Sequence, residues 1–253
     1  MKLISLNLWA GRGGRENLLA FFKKYKDVDI FCLQEMWEGG DHRIAYYQKV
    51  WTRPDLKIVN TLISDISKVL IDHAVFFYPF YEDFFGQGIF IKKKIRITQE
   101  GEIFVHKTKE NSYSLEDENH ARNVQYMTIE TKQGLRTVVN FHGLWNGKGK
   151  TDSVERLIQS DNIVQFIKDI KNPFVLCGDF NLLPNTKSLK RIEEAGLKNL
   201  ITEFGITNTR SSFYKKEERF ADYTLVSPGI TVNDFKVLPD EVSDHLAMYL
   251  DFK

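Results

Sequence analysis

FVLCGDFN, residues 174–181, sets four apolar side chains in a row and then turns abruptly polar at Gly, Asp and Asn. A run this short, preceded by Pro173, reads as a strand buried on both faces. VDIFCLQE (28–35) has the same form and ends on Glu35. In LISLNLW (3–9), Ile4, Leu6 and Leu8 line one strand face, while Leu3, Ser5, Asn7 and Trp9 line the other. Its second face is mixed, which places this strand between layers with Ser5 and Asn7 as polar exceptions.

Helical spacing separates these strands. Leu18, Leu19, Phe22 and Tyr25 recur at the helical period, as do Leu62, Ile63, Ile66, Val69 and Leu70. HAVFFYPFY (73–81) and GQGIFIKKKIRI (86–97) read as strands, and RNVQYMTIET and LRTVVNFHGLW flank KQG as a hairpin. Thr151-Asp152 is expected to open a helix that runs to Ile170. DYTLVSP, ITVNDFKVL and HLAMYLDF complete the strands, and the polar stretch 99–119 is expected to hold a variable loop. Lys92, Lys93 and Lys94 read as a solvated sheet edge. The alternation predicts a single α/β domain over residues 1–253, without repeats or a separating linker.

Composition agrees. The 253 residues are 42% hydrophobic, with 35 Lys+Arg against 34 Asp+Glu and a formal net charge of +1. This excludes a disordered chain and a highly basic nucleic-acid coat, and leaves room for a local basic groove. Cys32 and Cys177 each sit in an apolar run and read as core thiols. The N-terminus lacks the apolar length of a signal peptide, and no stretch approaches 18 uninterrupted apolar residues. A cytoplasmic protein without a membrane anchor, acting as a monomer, is the expectation.

Polar residues cluster at strand termini: Asn7, Glu35, His142, Asp179 and Asn181 where apolar strands stop, and the pair Asp244-His245 where the last begins. Strand ends are where a rigid backbone meets solvent, so these groups can converge on one site. Carboxylates with amide carbonyls are hard oxygen donors that suit Mg²⁺ or Mn²⁺ better than zinc. Two histidines beside them could stabilise or protonate phosphate-ester oxygens.

LNLW, LQE, NFH, GDFN, DY at Asp222 and SDH occur in an order and spacing that resemble the endonuclease/exonuclease/phosphatase superfamily, over residues 3 to 250. The resemblance implies a four-layer α/β sandwich, with two packed mixed β-sheets flanked by helices and a divalent-metal site at one edge. It implies Glu35 as principal metal ligand, helped by Asn7 and Asp244. Asp179 would orient or deprotonate the attacking water, and Asn181 would hold that water or the phosphate. His245, positioned by Asp222, would face the scissile phosphate, with His142 contacting a phosphate oxygen from the other side. An arginine at the position of Arg122, followed by Asn123, often reaches substrate in this superfamily.

GLWNGKGKTD (143–152) contains GKT, but a nucleotide-binding loop needs Gly where Leu144 stands, so that reading is rejected. Instead Lys148 and Lys150 are expected to touch substrate phosphates while Trp145 packs in the core or stacks on a base. His42, His73, His106 and His120 match no motif and are expected on the surface or in loops. The abasic-site endonucleases of the superfamily usually carry a Lys soon after LQE and a Tyr in place of His142; this chain has neither. The expectation is a phosphodiesterase acting on nucleic acid, either DNase-like or 5'-tyrosyl-DNA phosphodiesterase-like. The alternatives are a sphingomyelinase-like or small phosphoester hydrolase and an inactive binding module.

Overall fold

A computed structural model describes residues 1–50, 57–111 and 119–253. Its strands are β1 (Lys2–Asn7), β2 (Ile30–Trp37), β3 (His73–Tyr81), β4 (Phe85–Lys92), β5 (Ile97–His106), β6 (Arg122–Thr131), β7 (Gly134–His142), β8 (Phe174–Asp179), β9 (Lys198–Asn199), β10 (Asp222–Val226), β11 (Val232–Val237) and β12 (Met248–Phe252). The helices are α1 (Arg15–Lys24), α2 (Asp41–Val50), α3 (Leu62–Val69), α4 (Val154–Asp169), α5 (Lys187–Glu193) and α6 (Leu200–Glu203). They build two six-stranded mixed sheets, ordered β11-β12-β1-β2-β4-β3 and β5-β6-β7-β8-β10-β9. No helix among the described residues is long and apolar enough to cross a membrane.

Strand parity sorts the side chains into layers. Ile4, Leu6, Phe31 and Leu33 turn outward to meet Leu18, Phe22, Leu62 and Ile66 of α1 and α3. Leu3, Ile30 and Cys32, on the opposite face, share a core with Val138, Val175 and Cys177 of the second sheet, whose Val139 and Leu176 turn the other way, to the side that α4 and α5 cover through Ile163, Ile167 and Leu189. Both cysteines are buried and free, as expected of core thiols.

Between the sheets lies a buried layer of amides. Gln34 Nε2 donates to Asn140 Oδ1 at 2.6 Å, and Asn140 Nδ2 reaches the carbonyls of Leu33 and Gly88 at 3.2 and 3.3 Å. Gln87 Nε2 donates to Asn123 Oδ1 at 3.0 Å, and Gln125 Nε2 to the Phe76 carbonyl at 2.8 Å. These bonds cross from one sheet to the other and fix their register, which apolar packing alone leaves free to slide. Asn140→Leu leaves Gln34 and two carbonyls short of partners, so it is expected to lower the unfolding free energy by about 2 kcal/mol. Urea unfolding, with a lower midpoint and an unchanged slope, checks this.

Several expectations need correction. The stretch 99–119 begins not as a loop but as most of β5, an edge strand whose Thr98, Gln99 and Glu100 are exposed; residues 112–118 lie outside the described residues. Lys92 ends β4, which pairs on both sides with β2 and β3, so the lysines do not guard an edge. His73 is buried, with Nε2 2.8 Å from the Val28 carbonyl. Ser153, rather than Thr151-Asp152, caps α4 by accepting from the Arg156 amide. Asp152 instead accepts from the amides of Lys187 and Ser188 at the start of α5.

Candidate active site

Sheet topology brings the polar strand ends together. β1 and β2 are parallel neighbours, as are β7 and β8, so Asn7 and Glu35 emerge at one end of the first sheet and His142 and Asp179 at one end of the second. His142 is the register partner of Asp179, which also faces Asp222 on antiparallel β10. The close approach of β7 and β8 requires glycine. Gly178 adopts φ +143°, and a Cβ there would lie 1.9 Å from the Phe141 carbonyl oxygen.

Asp179 sits at the centre. Its Oδ1 accepts the Asn181 amide at 2.9 Å, which holds the carboxylate plane. Its Oδ2 accepts from Asn7 Nδ2 at 2.9 Å and lies 3.7 Å from His142 Nε2 and 3.6 Å from His245 Nε2. Asn7 Nδ2 also reaches Glu35 Oε1 at 3.2 Å, while Asn7 Oδ1 accepts the Trp9 amide at 2.9 Å. Asn7 thus ties the two carboxylates together through its amide, while its carbonyl oxygen keeps a second lone pair for the metal-ligating role expected of it.

Glu35 lies two residues before the end of β2, not at its terminus, in a bulge where the β2–β4 register shifts between Leu33 and Met36. Its backbone has φ +52°, a left-handed conformation that costs a residue with a side chain about 1 kcal/mol. The bulge turns the carboxylate into the pocket. Asn181 also has φ +52°, which asparagine tolerates better.

His245 is buried, with Nδ1 2.8 and 2.9 Å from the two Asp222 oxygens. Thr209 Oγ1 donates to Asp222 Oδ2 at 2.9 Å. On the far side of the ring, Arg210 Nη1 lies 2.5 Å from His245 Nε2 and 3.1 Å from Asp244 Oδ2. Because arginine can only donate, Nε2 is the acceptor and Nδ1 carries the proton toward Asp222. Burial, reinforced by the Arg210 charge, pushes His245 down to about 4, so its imidazole is neutral at pH 7. Burial also drives His142 well below the ordinary histidine range and lifts Asp222 to about 6. Desolvation raises Glu35 and Asp244 above the ordinary carboxylate range.

These groups open into a cavity of about 680 Å³. Its walls add Trp9, Trp37, Phe85, His120 and Tyr214 to the polar set, with Arg12, Lys150 and Lys216 as cations. Arg122 lines it and is buried, with Nε donating to the Gly143 carbonyl at 2.9 Å. Trp145 lines it too, beneath Lys216 at 5.3 Å. Two expected substrate contacts are placed elsewhere. Asn123 points into the amide layer between the sheets, because adjacent strand residues face opposite ways and its neighbour Arg122 takes the pocket side. Lys148 is exposed and outside the pocket, whereas Lys150 is buried and lines it. Sequence reading did not assign Arg210, Tyr214, Trp9 and Trp37 to the pocket; Trp9 closes the LNLW motif and Trp37 ends β2, whereas Arg210 and Tyr214 stand in no strand-end motif.

The donor set fits a hard divalent cation. Glu35, His142 and Asp179 bring ligand atoms within 4.8 Å of one another, as do Asp179, Asp222 and His245. Asp244 Oδ1 is a buried carboxylate oxygen with no hydrogen-bond partner among the described residues, a cost that a metal ion would offset.

Two mixed sheets carrying a carboxylate and histidine cluster at their strand ends have the layout of a phosphoester hydrolase, and the family match agrees. The chain belongs to the Endonuclease/Exonuclease/phosphatase family, whose profile matches residues 4–245. Among solved structures it is similar to a mannosyl-6-phosphatase from Bacteroides thetaiotaomicron VPI-5482, at TM-score 0.73 and 18% identity, covering 100% of this chain and 99% of that one. It is similar to a humanized D. rerio TDP2 carrying 14 mutations, at TM-score 0.70 and 17% identity, covering 100% and 98%. The human Nocturnin catalytic domain with bound sulfate anion follows at TM-score 0.65 and 19% identity, covering 100% and 93%. No curated protein sequence matches the chain.

Proposed function

We propose that the protein is a divalent-metal-dependent phosphodiesterase that hydrolyses nucleic acid, or a nucleotide-containing ester, by in-line attack of water within a single domain. The observation that carries this reading is Asp179. One of its oxygens is pinned by the Asn181 amide, and the other is turned toward Asn7, His142 and His245. A base held this way can take a proton from water without a covalent intermediate. Glu35 and Asp244 would hold Mg²⁺ or Mn²⁺, which supplies charge neutralisation at the phosphoryl oxygens. His142 and Arg122 would contact those oxygens, and Asp222 keeps His245 in the tautomer whose Nε2 faces inward.

The choice of a nucleotide-bearing ester is supported by the walls. Trp9, Phe85 and Trp145 offer flat apolar surfaces near Arg12 and Lys216, a combination that stacks bases and holds flanking phosphates. The test compares plasmid DNA, single-stranded DNA, RNA, a 5'-phosphotyrosyl oligonucleotide and mono- against bis-4-nitrophenyl phosphate, with Mg²⁺, Mn²⁺ or EDTA. Diesters should be cleaved with either ion and left intact in EDTA. Activity confined to monoesters would overturn the diester assignment, and activity surviving EDTA would overturn the metal requirement.

A further inference from the structure

Lys150 is 2% exposed, yet it lines the cavity. Its ammonium donates to the Tyr214 hydroxyl at 2.9 Å and makes no ion pair among the described residues. Arg210 is 4% exposed, and its Nε is buried without a hydrogen-bond partner among the described residues. Both cations lie against one aromatic ring: Lys150 Nζ is 4.5 Å and the Arg210 guanidinium 4.2 Å from the Tyr214 centroid. The ring is fixed from its other end, since the Tyr214 hydroxyl donates to Glu218 Oε2 at 3.1 Å and its amide to the Ser211 carbonyl at 3.2 Å. The segment carrying Arg210 is fixed as well, by a bridge between Arg210 and His245 and by the Ser211 amide on the Asp244 carbonyl.

Two buried like charges on one rigid ring repel each other, and desolvation without full pairing is costly. An anion placed in the cavity beside them would relieve both costs through charge-assisted hydrogen bonds. We propose that Lys150 and Arg210 form a phosphoryl-oxygen subsite, in which the ammonium and the guanidinium grip a nonbridging oxygen of the substrate phosphate beside Asp244, with which Arg210 Nη1 pairs at 3.1 Å. The subsite rests on the phosphoester reading of this pocket and adds that phosphate affinity is built into the protein apart from any metal.

The test is calorimetric titration of the full chain with inorganic phosphate in EDTA at low salt. The wild type should bind, and Lys150→Met and Arg210→Met should each weaken binding by about tenfold or more. Lys148→Met, on the same loop but outside the cavity, should leave it within twofold. If Lys150→Met fails to give a cooperative thermal transition, Lys150→Gln takes its place. Phosphate binding that is unchanged in these variants, or that appears only with metal present, overturns the subsite. The two readings fail separately. Lys150-dependent phosphate binding without diester turnover sinks the phosphodiesterase and keeps the subsite, whereas diester turnover indifferent to Lys150 does the reverse.

Discussion

Asp179→Asn is expected to lower kcat by roughly 10³- to 10⁴-fold, the range for loss of a positioned general base. The substitution keeps the shape and one carbonyl oxygen, so the Asn181 amide, 2.9 Å from Oδ1, retains its acceptor. What it removes is the charge on the atom facing Asn7 Nδ2, His142 and His245. An amide in that place cannot take a proton from water. Fold stability should stay close to wild type, because the lost Asn7 contact is offset by relief of repulsion between Asp179 and its neighbours Glu35 and Asp244. Metal affinity should fall by only a few fold, since Glu35 and Asp244 remain. Steady-state rates, a calorimetric metal titration and a thermal melt check the three parts together. A variant that folds, binds metal and still turns over above a tenth of the wild-type rate would show that the base is another group.

The strands that hold this site were readable because β1, β2 and β8 are buried on both faces and therefore appear as dense apolar runs whose polar residues stand out. Asn7, Glu35, His142, Asp179, Asn181 and Asp244-His245 were visible for that reason, and pairing of parallel strands brings them together. The edge strand β5 was not visible, since an exposed edge carries polar residues and reads as loop. Asn123 was assigned to the pocket although strand parity, applied to Arg122 and Asn123 as neighbours, allows only one of them there. Arg210 and Tyr214 had no local signal. They reach the centre through a bridge to His245 and through packing against Lys150, contacts between residues 35 and 64 positions apart. The amide layer was hidden for a related reason: Gln34, Gln87, Gln125 and Asn140 look like ordinary polar exceptions until the two sheets face each other.

Glu35→Gly is expected to make the metal-free protein more stable, by about 1 kcal/mol, while lowering the rate by at least roughly 10³-fold. The left-handed φ of +52° at this bulge strains glutamate and suits glycine, so the substitution releases backbone strain. It also removes a carboxylate that burial holds above its ordinary range, against the favourable pull of Arg12 and Asn7. The pH dependence follows from that direction. A carboxylate whose folded-state value is raised costs nothing below its unfolded value, and its penalty grows as pH rises through the folded one. The stability gap between variant and wild type should therefore be smaller near pH 4 than at pH 7. Saturating divalent metal should reverse the order, because an ion that binds the folded wild type stabilises it by mass action, whereas the variant has lost the ligand. Chemical unfolding in EDTA and in metal, each at both pH values, measures all of this. A metal-free variant that is less stable than wild type would mean that the bulge geometry stores no strain at Glu35.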